Sequence, residues 1–361
     1  DPDNEQWKEL QLNKALQATE AAYSIEDKAE REVKLLEIND AFDESINDPD
    51  YARKLYLIEN CIYGVDIQPI ATQISKLRFF ISLVVDQKVN SDKPNFGIRA
   101  LPNLETKFVS ANTLIGIEKP SSKTSLFSTD RIKELEGELK QVRKKIFSAR
   151  TKKTKTKYRQ EDERLRNEIA EELKNSGWPN ETAENLANWD PYDQNASSPF
   201  FDPEWMFDVS EGFNIVIGNP PYKIVGRDEL NQQKYFKRHY RLASYKINLY
   251  VMFLEKGLNT LFEQGGTLSY IIPKSLVFNT YLKETRRILL SEYKIPKIIE
   301  IKEKVFENVE VGDNIIFFGE ENPIPKQNEL KYQIVSGISP FGLDKEHRNK
   351  QKKLLEENDS N

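Results

Sequence analysis

Apolar positions along this chain recur either three and four residues apart or in short unbroken runs, and the alternation between these patterns outlines the fold. Over residues 5–47, Trp7, Leu10, Leu12 and Leu16, then Val33, Leu35, Leu36 and Ile38, stand among many charges without a glycine, which predicts helix. Asp48-Pro49-Asp50 is a helix-start signal, and a second short helix is expected from Tyr51 to Glu59. The run from Cys61 to Ile67 reads as a strand. Pro69 then occupies a first helical position, and Ile70, Ile74, Leu77, Ile81 and Val84 fall on one stripe. Strand, acidic residue and helix in that order are half of a βαβ unit. Lys107-Phe108-Val109-Ser110 is a second strand, ending at Ala111-Asn112-Thr113-Leu114.

Beyond Lys119 the period changes. Ile132, Leu135, Leu139, Val142 and Ile146 form a heptad seam, and Leu165, Ile169 and Leu173 form its return. Residues 129–175 therefore read as an antiparallel helical hairpin inserted into the domain. Its tip, Arg150-Thr151-Lys152-Lys153-Thr154-Lys155-Thr156-Lys157, is basic and has no acid. That tip is either a solvated turn or a phosphate-binding finger. Trp178, Trp189 and Trp205 follow in a stretch rich in Asn, Pro and Ser, too aromatic for a bare linker, and are expected to pack back on the core.

The remaining pattern alternates strands with helices. A buried strand is expected at Phe213–Gly218, a helix around Ile247–Phe262, a strand at Gly266–Pro273 and a helix near Tyr281–Tyr293. Strands at Lys297–Ile301 and Asn314–Phe318 complete it, with the last pair readable as a hairpin. This order predicts a mostly parallel α/β sheet. After Pro323 the sequence turns polar, and Lys345–Asn361 is expected to be a frayed, charged tail.

Composition narrows the class. The 361 residues suffice for one large core or two ordinary ones, and 31% charged against 38% apolar residues fits a polar globular protein. No apolar run approaches the length of a membrane-spanning helix, so no membrane partner is expected. Asp-Pro-Asp-Asn-Glu-Gln-Trp lacks a signal peptide's basic and apolar regions and lacks a Met, so the chain is expected to be a piece of a longer protein. Cys61 is the single cysteine, which excludes an internal disulfide and a Cys-based zinc site. His239 and His347 have no metal-ligand spacing, so no metal is expected. A reducing bacterial cytoplasm fits. The net charge of −5 excludes coating of nucleic acid by charge alone but not a local basic surface.

Candidate chemistry sits at three strand ends, where open α/β sheets bind ligands. Asn219-Pro220-Pro221-Tyr222 follows the run Phe213-Asn214-Ile215-Val216-Ile217-Gly218. Two prolines fix φ and remove two backbone donors, so the loop is stiff and its carbonyls stay available. An exocyclic amine can give one hydrogen to the Asn219 side-chain oxygen and the other to the Pro220 carbonyl. Tyr222 offers a flat face to the ring bearing that amine. The competing reading is a proline-rich turn after an edge strand. Asp66 closes the first strand, where a carboxylate can accept from both hydroxyls of a ribose; it can also cap the Pro69 helix. Asn112 closes the second, where it either reads an adenine edge or closes an Asx-turn.

These motifs in order resemble the N6-adenine DNA methyltransferase domain of type IIG restriction-modification enzymes and the related phage-exclusion methylases. The resemblance runs through Ile62–Ala71, Leu101-Pro102-Asn103-Leu104, Phe200–Trp205, Phe213–Tyr222 and Gly265–Pro273, covering roughly residues 55–320. It implies an α/β, Rossmann-like methyltransferase sheet, mostly parallel with one antiparallel strand, incomplete at its N-terminus and carrying the hairpin insertion. S-adenosylmethionine is the implied cofactor. Asp66 would hold its ribose, Ile67 would pack on its adenine, Asn112 would contact the adenine amino group, and Tyr250 and Phe253 would line the same rim. Asn219, Pro220, Pro221 and Tyr222 would bind a target adenine flipped out of double-stranded DNA. Two positions depart from the family pattern, Asn214 and Asn248, where Asp is usual.

The larger departure is the family's glycine-rich cofactor loop, since no glycine precedes Gly64. The resemblance therefore implies half a cofactor site here, an isolated piece that is inactive alone, and nuclease and target-recognition domains elsewhere in the same protein. The expected organisation is an N-terminal helical segment at 1–59, core at 60–119, the hairpin and Trp-rich loop at 120–205, the catalytic core at 206–322 and a polar segment at 323–361. Two rivals remain open: methylation of a protein glutamine amide, which also uses an Asn-Pro-Pro-Tyr loop, and a non-catalytic DNA-binding scaffold.

Overall fold

The computed structural model describes residues 5–23, six positions between 31 and 39, 49–98 except 88, 90 and 93, 102–118, 130–149, 151–302 except 244, 245 and 264, and then 305, 313–320, 329–335 and 343–350. The chain divides into two compact units, Asp1–Asp208 and Val209–Asn361.

In the first unit, helix α1 covers Glu5–Tyr23 and α2 covers Pro49–Asn60. Tyr51 and Ile58, seven residues apart on α2, are buried with Leu83, Leu104, Phe108 and Phe147. Strand β1 is only Gly64–Asp66, shorter than the apolar run predicted. The N–H groups of Cys61 and Ile62 both bond to the Leu57 carbonyl, so these residues close α2 instead of opening the strand. β1 pairs in parallel with β2, Phe108–Ser110, in the register Gly64↔Phe108 and Asp66↔Ser110. A side chain at position 64 would collide with the Phe108 ring, which is why glycine begins β1.

Helix α3, Pro69–Val84, starts at its proline as predicted, but its apolar stripe faces outward. Leu83 is fully buried, whereas Ile70, Ile74, Leu77 and Ile81 are each more than half exposed. The helical hairpin is borne out by α4, Asp130–Ser148, and α5, Lys152–Asn175. All eight predicted seam residues are buried. Between its arms the buried Asp162 carboxylate accepts from Arg143 Nε at 3.0 Å and, in addition, from Arg166 Nε at 2.8 Å and the Tyr192 hydroxyl at 3.1 Å. Each charge there is met by several partners, which is what a buried ion cluster requires. The tryptophan-bearing stretch does pack back, with Trp189 and Trp205 buried. It also forms two short helices that the sequence pattern did not predict, α6 at Asn180–Asn188 and α7 at Pro203–Phe207.

The second unit holds a six-stranded sheet in the order β3-β4-β6-β5-β7-β8. Its strands are β3 Ile215–Gly218, β4 Thr267–Pro273, β5 Lys294–Ile301, β6 Asn314–Glu320, β7 Glu329–Val335 and β8 Leu343–Lys350. β3 and β4 are parallel, as are β5 and β7, while β6 and β8 run against their neighbours. The connecting helices are α8 Leu230–His239, α9 Leu249–Leu258, α10 Ser275–Phe278 and α11 Lys283–Glu292.

Two expectations are corrected here. Part of the segment read as a frayed tail forms β8, paired to β7 from Val335↔Leu343 to Glu329↔Lys350. Residues 351–361 lie outside the described residues. The run expected to be a buried strand is β3, but Ile215 is 70% and Ile217 76% exposed. Among the described residues β3 is the sheet's edge and pairs with β4 alone, so its apolar character does not guarantee cover.

Candidate active site

The acceptor tetrapeptide leaves the carboxyl end of β3 at Gly218, opposite Tyr270 of β4. A Cβ at Gly218 would press on the Tyr270 ring, so glycine lets the strand end lie close to that aromatic. Asn219 is exposed, Pro220 is buried and Tyr222 is half-buried. The Tyr222 hydroxyl donates to the Ile271 carbonyl of β4 at 3.1 Å. Its ring meets Tyr250 edge to face, 6.4 Å between centroids and 84° between planes. Burial pushes the Tyr222 hydroxyl up to about 12, so at neutral pH it is a hydrogen-bond donor.

Beyond Tyr222 the loop is pinned to the segment entering α9. Leu249 N–H donates to the Lys223 carbonyl at 2.8 Å, and Val225 N–H to the Ile247 carbonyl at 2.9 Å. Lys223 and Glu229 pair at 2.7 Å, and Glu229 also accepts from Gly226 N–H at 2.7 Å. The Lys223 hydrogen bond, then that from Gly226, holds the Glu229 carboxyl below its usual range. Asn219 itself makes no hydrogen bond or ion pair among the described residues. A stiff loop fixed at Tyr222 and beyond thus presents an uncommitted amide at its front.

Tyr250 is buried on α9, and its hydroxyl pairs with Ser275 Oγ at 3.3 Å. Burial raises its ionisation above the ordinary phenol value. α9 lies close on β4 because Gly257 leaves no room for a side chain against Leu268 and Tyr270. Phe253, three residues after Tyr250 and so on the same stripe of the helix, is half-buried. Asn248 at the start of α9 does not cap the helix with its side chain; its amide donates to the Lys246 carbonyl at 3.0 Å. Ile271 and Ser275 were not singled out from the sequence. Ser275 stands two residues after the end of β4, where polar residues beside a ligand are expected, and that position was its available signal. Lys274, beside it, is committed to Glu300 at 2.5 Å and to Asp313 at 3.4 Å.

In the first unit, Asp66 and Asn112 come together at the carboxyl ends of β1 and β2. Asp66 Oδ1 accepts from Gln68 N–H at 2.8 Å, and the Asp66 carbonyl accepts from Ala111 N–H at 2.9 Å. This contact is an Asx-turn just ahead of α3, whose N-cap is Gln68 without a side-chain cap, so the alternative role of Asp66 as the helix cap is not found, and the turn occupies only one carboxylate oxygen. Asn112 Oδ1 accepts from Leu114 N–H at 3.3 Å, an Asx-turn, while its side-chain NH2 has no partner among the described residues. Ile67, next to Asp66 in the chain, is 58% exposed, and its carbonyl accepts from Ser110 Oγ at 3.1 Å. An exposed carboxylate with a spare oxygen, an apolar side chain and an amide fit one side of a nucleoside: diol, base face and base edge. Among the described residues no group of three His, Cys, Asp or Glu could hold a metal, and no helix is long and apolar enough to cross a membrane.

Residues 60–306 match the family description of the Eco57I restriction-modification methylases. The protein RM.MjaORFECS2P of Methanocaldococcus jannaschii is 25% identical over 335 residues, 78% of this chain and 27% of its own length. The type II methyltransferase M.BstVI of Geobacillus stearothermophilus is 36% identical over 110 residues, 29% of this chain and 19% of its own. The type II restriction enzyme and methyltransferase RM.Eco57I of Escherichia coli is 28% identical over 116 residues, 30% of this chain and 11% of its own. The chain thus spans under a third of the length of each of these relatives.

Proposed function

The chain belongs to the Eco57I restriction-modification methylase family, and on that premise we propose that it carries the S-adenosylmethionine-dependent, adenine-N6-specific DNA methyltransferase activity of a restriction-modification enzyme. The observation that carries this reading is the uncommitted Asn219 amide, held at the end of β3 by a diproline and a fixed Tyr222. Adenine N6 is a poor nucleophile because its lone pair is delocalised into the ring. Asn219 Oδ1 and the Pro220 carbonyl accept its two hydrogens and draw the nitrogen toward tetrahedral geometry as positive charge develops. That interaction strengthens on the way to the transition state, so it speeds the reaction more than it tightens binding.

No His, Cys or Ser nucleophile takes part. The Tyr222 ring stacks on the base, which must leave the duplex to reach a loop of this kind. Tyr250 braces Tyr222 edge-on, and Phe253 continues its stripe along α9. Asp66, Ile67 and Asn112 hold the ribose and adenine of S-adenosylmethionine, which when bound supplies an activated methyl group. Double-stranded DNA is the partner. A restriction activity in the same protein, as the name of the Escherichia coli relative joins the two, is part of the proposal.

The test identifies the methylated product. The protein carrying these residues is incubated with methyl-labelled S-adenosylmethionine, duplex DNA and a protein-factor substrate, and the products are digested and separated. Label in N6-methyladenine is expected. Label in cytosine or in protein glutamine refutes the reading, and binding of DNA without any transfer favours a scaffold role.

A further inference from the structure

Between Leu139 and Gln160 the chain carries ten Lys and Arg residues and no Asp or Glu, within a protein of net charge −5. Seven of these cations fall into two groups. Lys140, Arg143 and Arg159 are neutralised by Asp208, Asp162 and Glu105. Lys152, Lys153, Lys155 and Lys157 at the start of α5 form no salt bridge among the described residues. Lys152, Lys153, Thr156, Lys157 and Gln160 line one open depression. These positions recur on one face of the helix, so three ammonium groups, a hydroxyl and an amide converge there.

Stability does not account for this arrangement. The first turn of α5 contains no acid, and its lysines stand at the positive end of the helix dipole, where an Asp or Glu would be favoured. Thr151 caps the helix through Thr154 N–H at 3.2 Å, so the helix start is orderly despite that repulsion. The seam beneath is fully packed, with Leu165 and Ile169 completely buried, so the tip is presented on a rigid support.

We propose that this tip is a phosphate-backbone grip for duplex DNA, acting through Lys152, Lys153, Lys155 and Lys157 and separate from the residues that handle the base. The choice of DNA over an acidic protein rests on the methyltransferase reading above and on the lining itself. Lysine is depleted and aromatic residues enriched at protein–protein interfaces, and no apolar side chain lines this depression. Phosphodiester contact needs only point charges and neutral donors, without base readout.

The experiment is duplex binding by the 361-residue chain over a salt series, using a fluorescent random-sequence duplex and comparing Lys152→Gln/Lys153→Gln/Lys155→Gln/Lys157→Gln with the parent sequence. Each phosphate contact contributes roughly 0.9 to the slope of log affinity against log salt, so the slope is expected to shrink by about 2–4. The thermal midpoint of the variant should stay level or rise, because like charges leave a helix N-terminus. Equal slopes for parent and variant overturn the proposal. So does absence of duplex binding by the parent at about 50 mM salt, or tip-dependent binding to polyglutamate in place of DNA. A tip-dependent slope without any methyl transfer by the protein leaves the grip standing and removes the methyltransferase reading; transfer with equal slopes does the reverse.

Discussion

The hairpin α4–α5 and the edge strand β3 are both built on isoleucine, leucine and valine, yet they bury them to opposite extents. Ile146, Leu165 and Ile169 are at most 1% exposed, whereas Ile215 and Ile217 are 70% and 76% exposed. The hairpin's apolar residues have each other, because a heptad seam on one arm finds its partner on the next arm of the same chain. Among the described residues β3 has a strand neighbour on one edge only, and that neighbour supplies hydrogen bonds without covering its face. An apolar run therefore reports the element and not its cover. The polar residues divide in the same way. Asp162 in the hairpin is surrounded by partners, while Asn219 after β3 has none among the described residues. On the proposed reading, Asp162 serves the fold and Asn219 is left open for a ligand.

Substitutions can break that contrast. Leu139→Ala in the seam should cost about 2–5 kcal/mol, the range for a buried leucine truncated in a packed core, read as a lower denaturation midpoint. A loss below about 1 kcal/mol would show that the hairpin is loosely packed. Tyr222→Phe removes the hydrogen bond to the Ile271 carbonyl and should cost about 1 kcal/mol while keeping the stacking face. It also has a signature in pH. The folded hydroxyl titrates at about 12, above the ordinary value of 10.0, so the native state holds its proton longer than the unfolded chain. That contribution is complete below pH 10 and fades as pH rises toward 12, so Tyr222→Phe should flatten the alkaline loss of stability in that window. The smallest effect is expected for Ile217→Ser, within about 0.5 kcal/mol, because the side chain is already in water. A large destabilisation there would show that the β3 face is covered in solution.

Much of this was legible from residues alone, for physical reasons that differ by element. The seam from Ile132 to Leu173 announces itself because a period near 3.5 specifies both helix and partner. Asp66, Asn112 and Asn219 are found because each follows an apolar run at a strand's carboxyl end. The outward turn of α3 was hidden: Ile70, Ile74, Leu77 and Ile81 define a face, and nothing local says what meets it. β8 was hidden for another reason. Leu343-Asp344-Lys345-Glu346-His347-Arg348-Asn349-Lys350 has almost no apolar content, and its place is fixed by backbone bonds to β7. At the candidate site, the Tyr222 anchor on Ile271 and the Tyr250–Ser275 pair join residues 49 and 25 apart in sequence, beyond the reach of any local pattern.

The central claim is that Asn219 serves the reaction and not the fold. It is tested most directly by measuring the rate of N6-methyladenine formation and the thermal midpoint together, for the protein carrying these residues and for its Asn219→Ala variant. The account predicts a rate lowered about 10²–10³-fold, the scale for losing one hydrogen-bonding group aimed at developing charge, with an unchanged midpoint. An undiminished rate, or a loss of rate matched by unfolding, would contradict it.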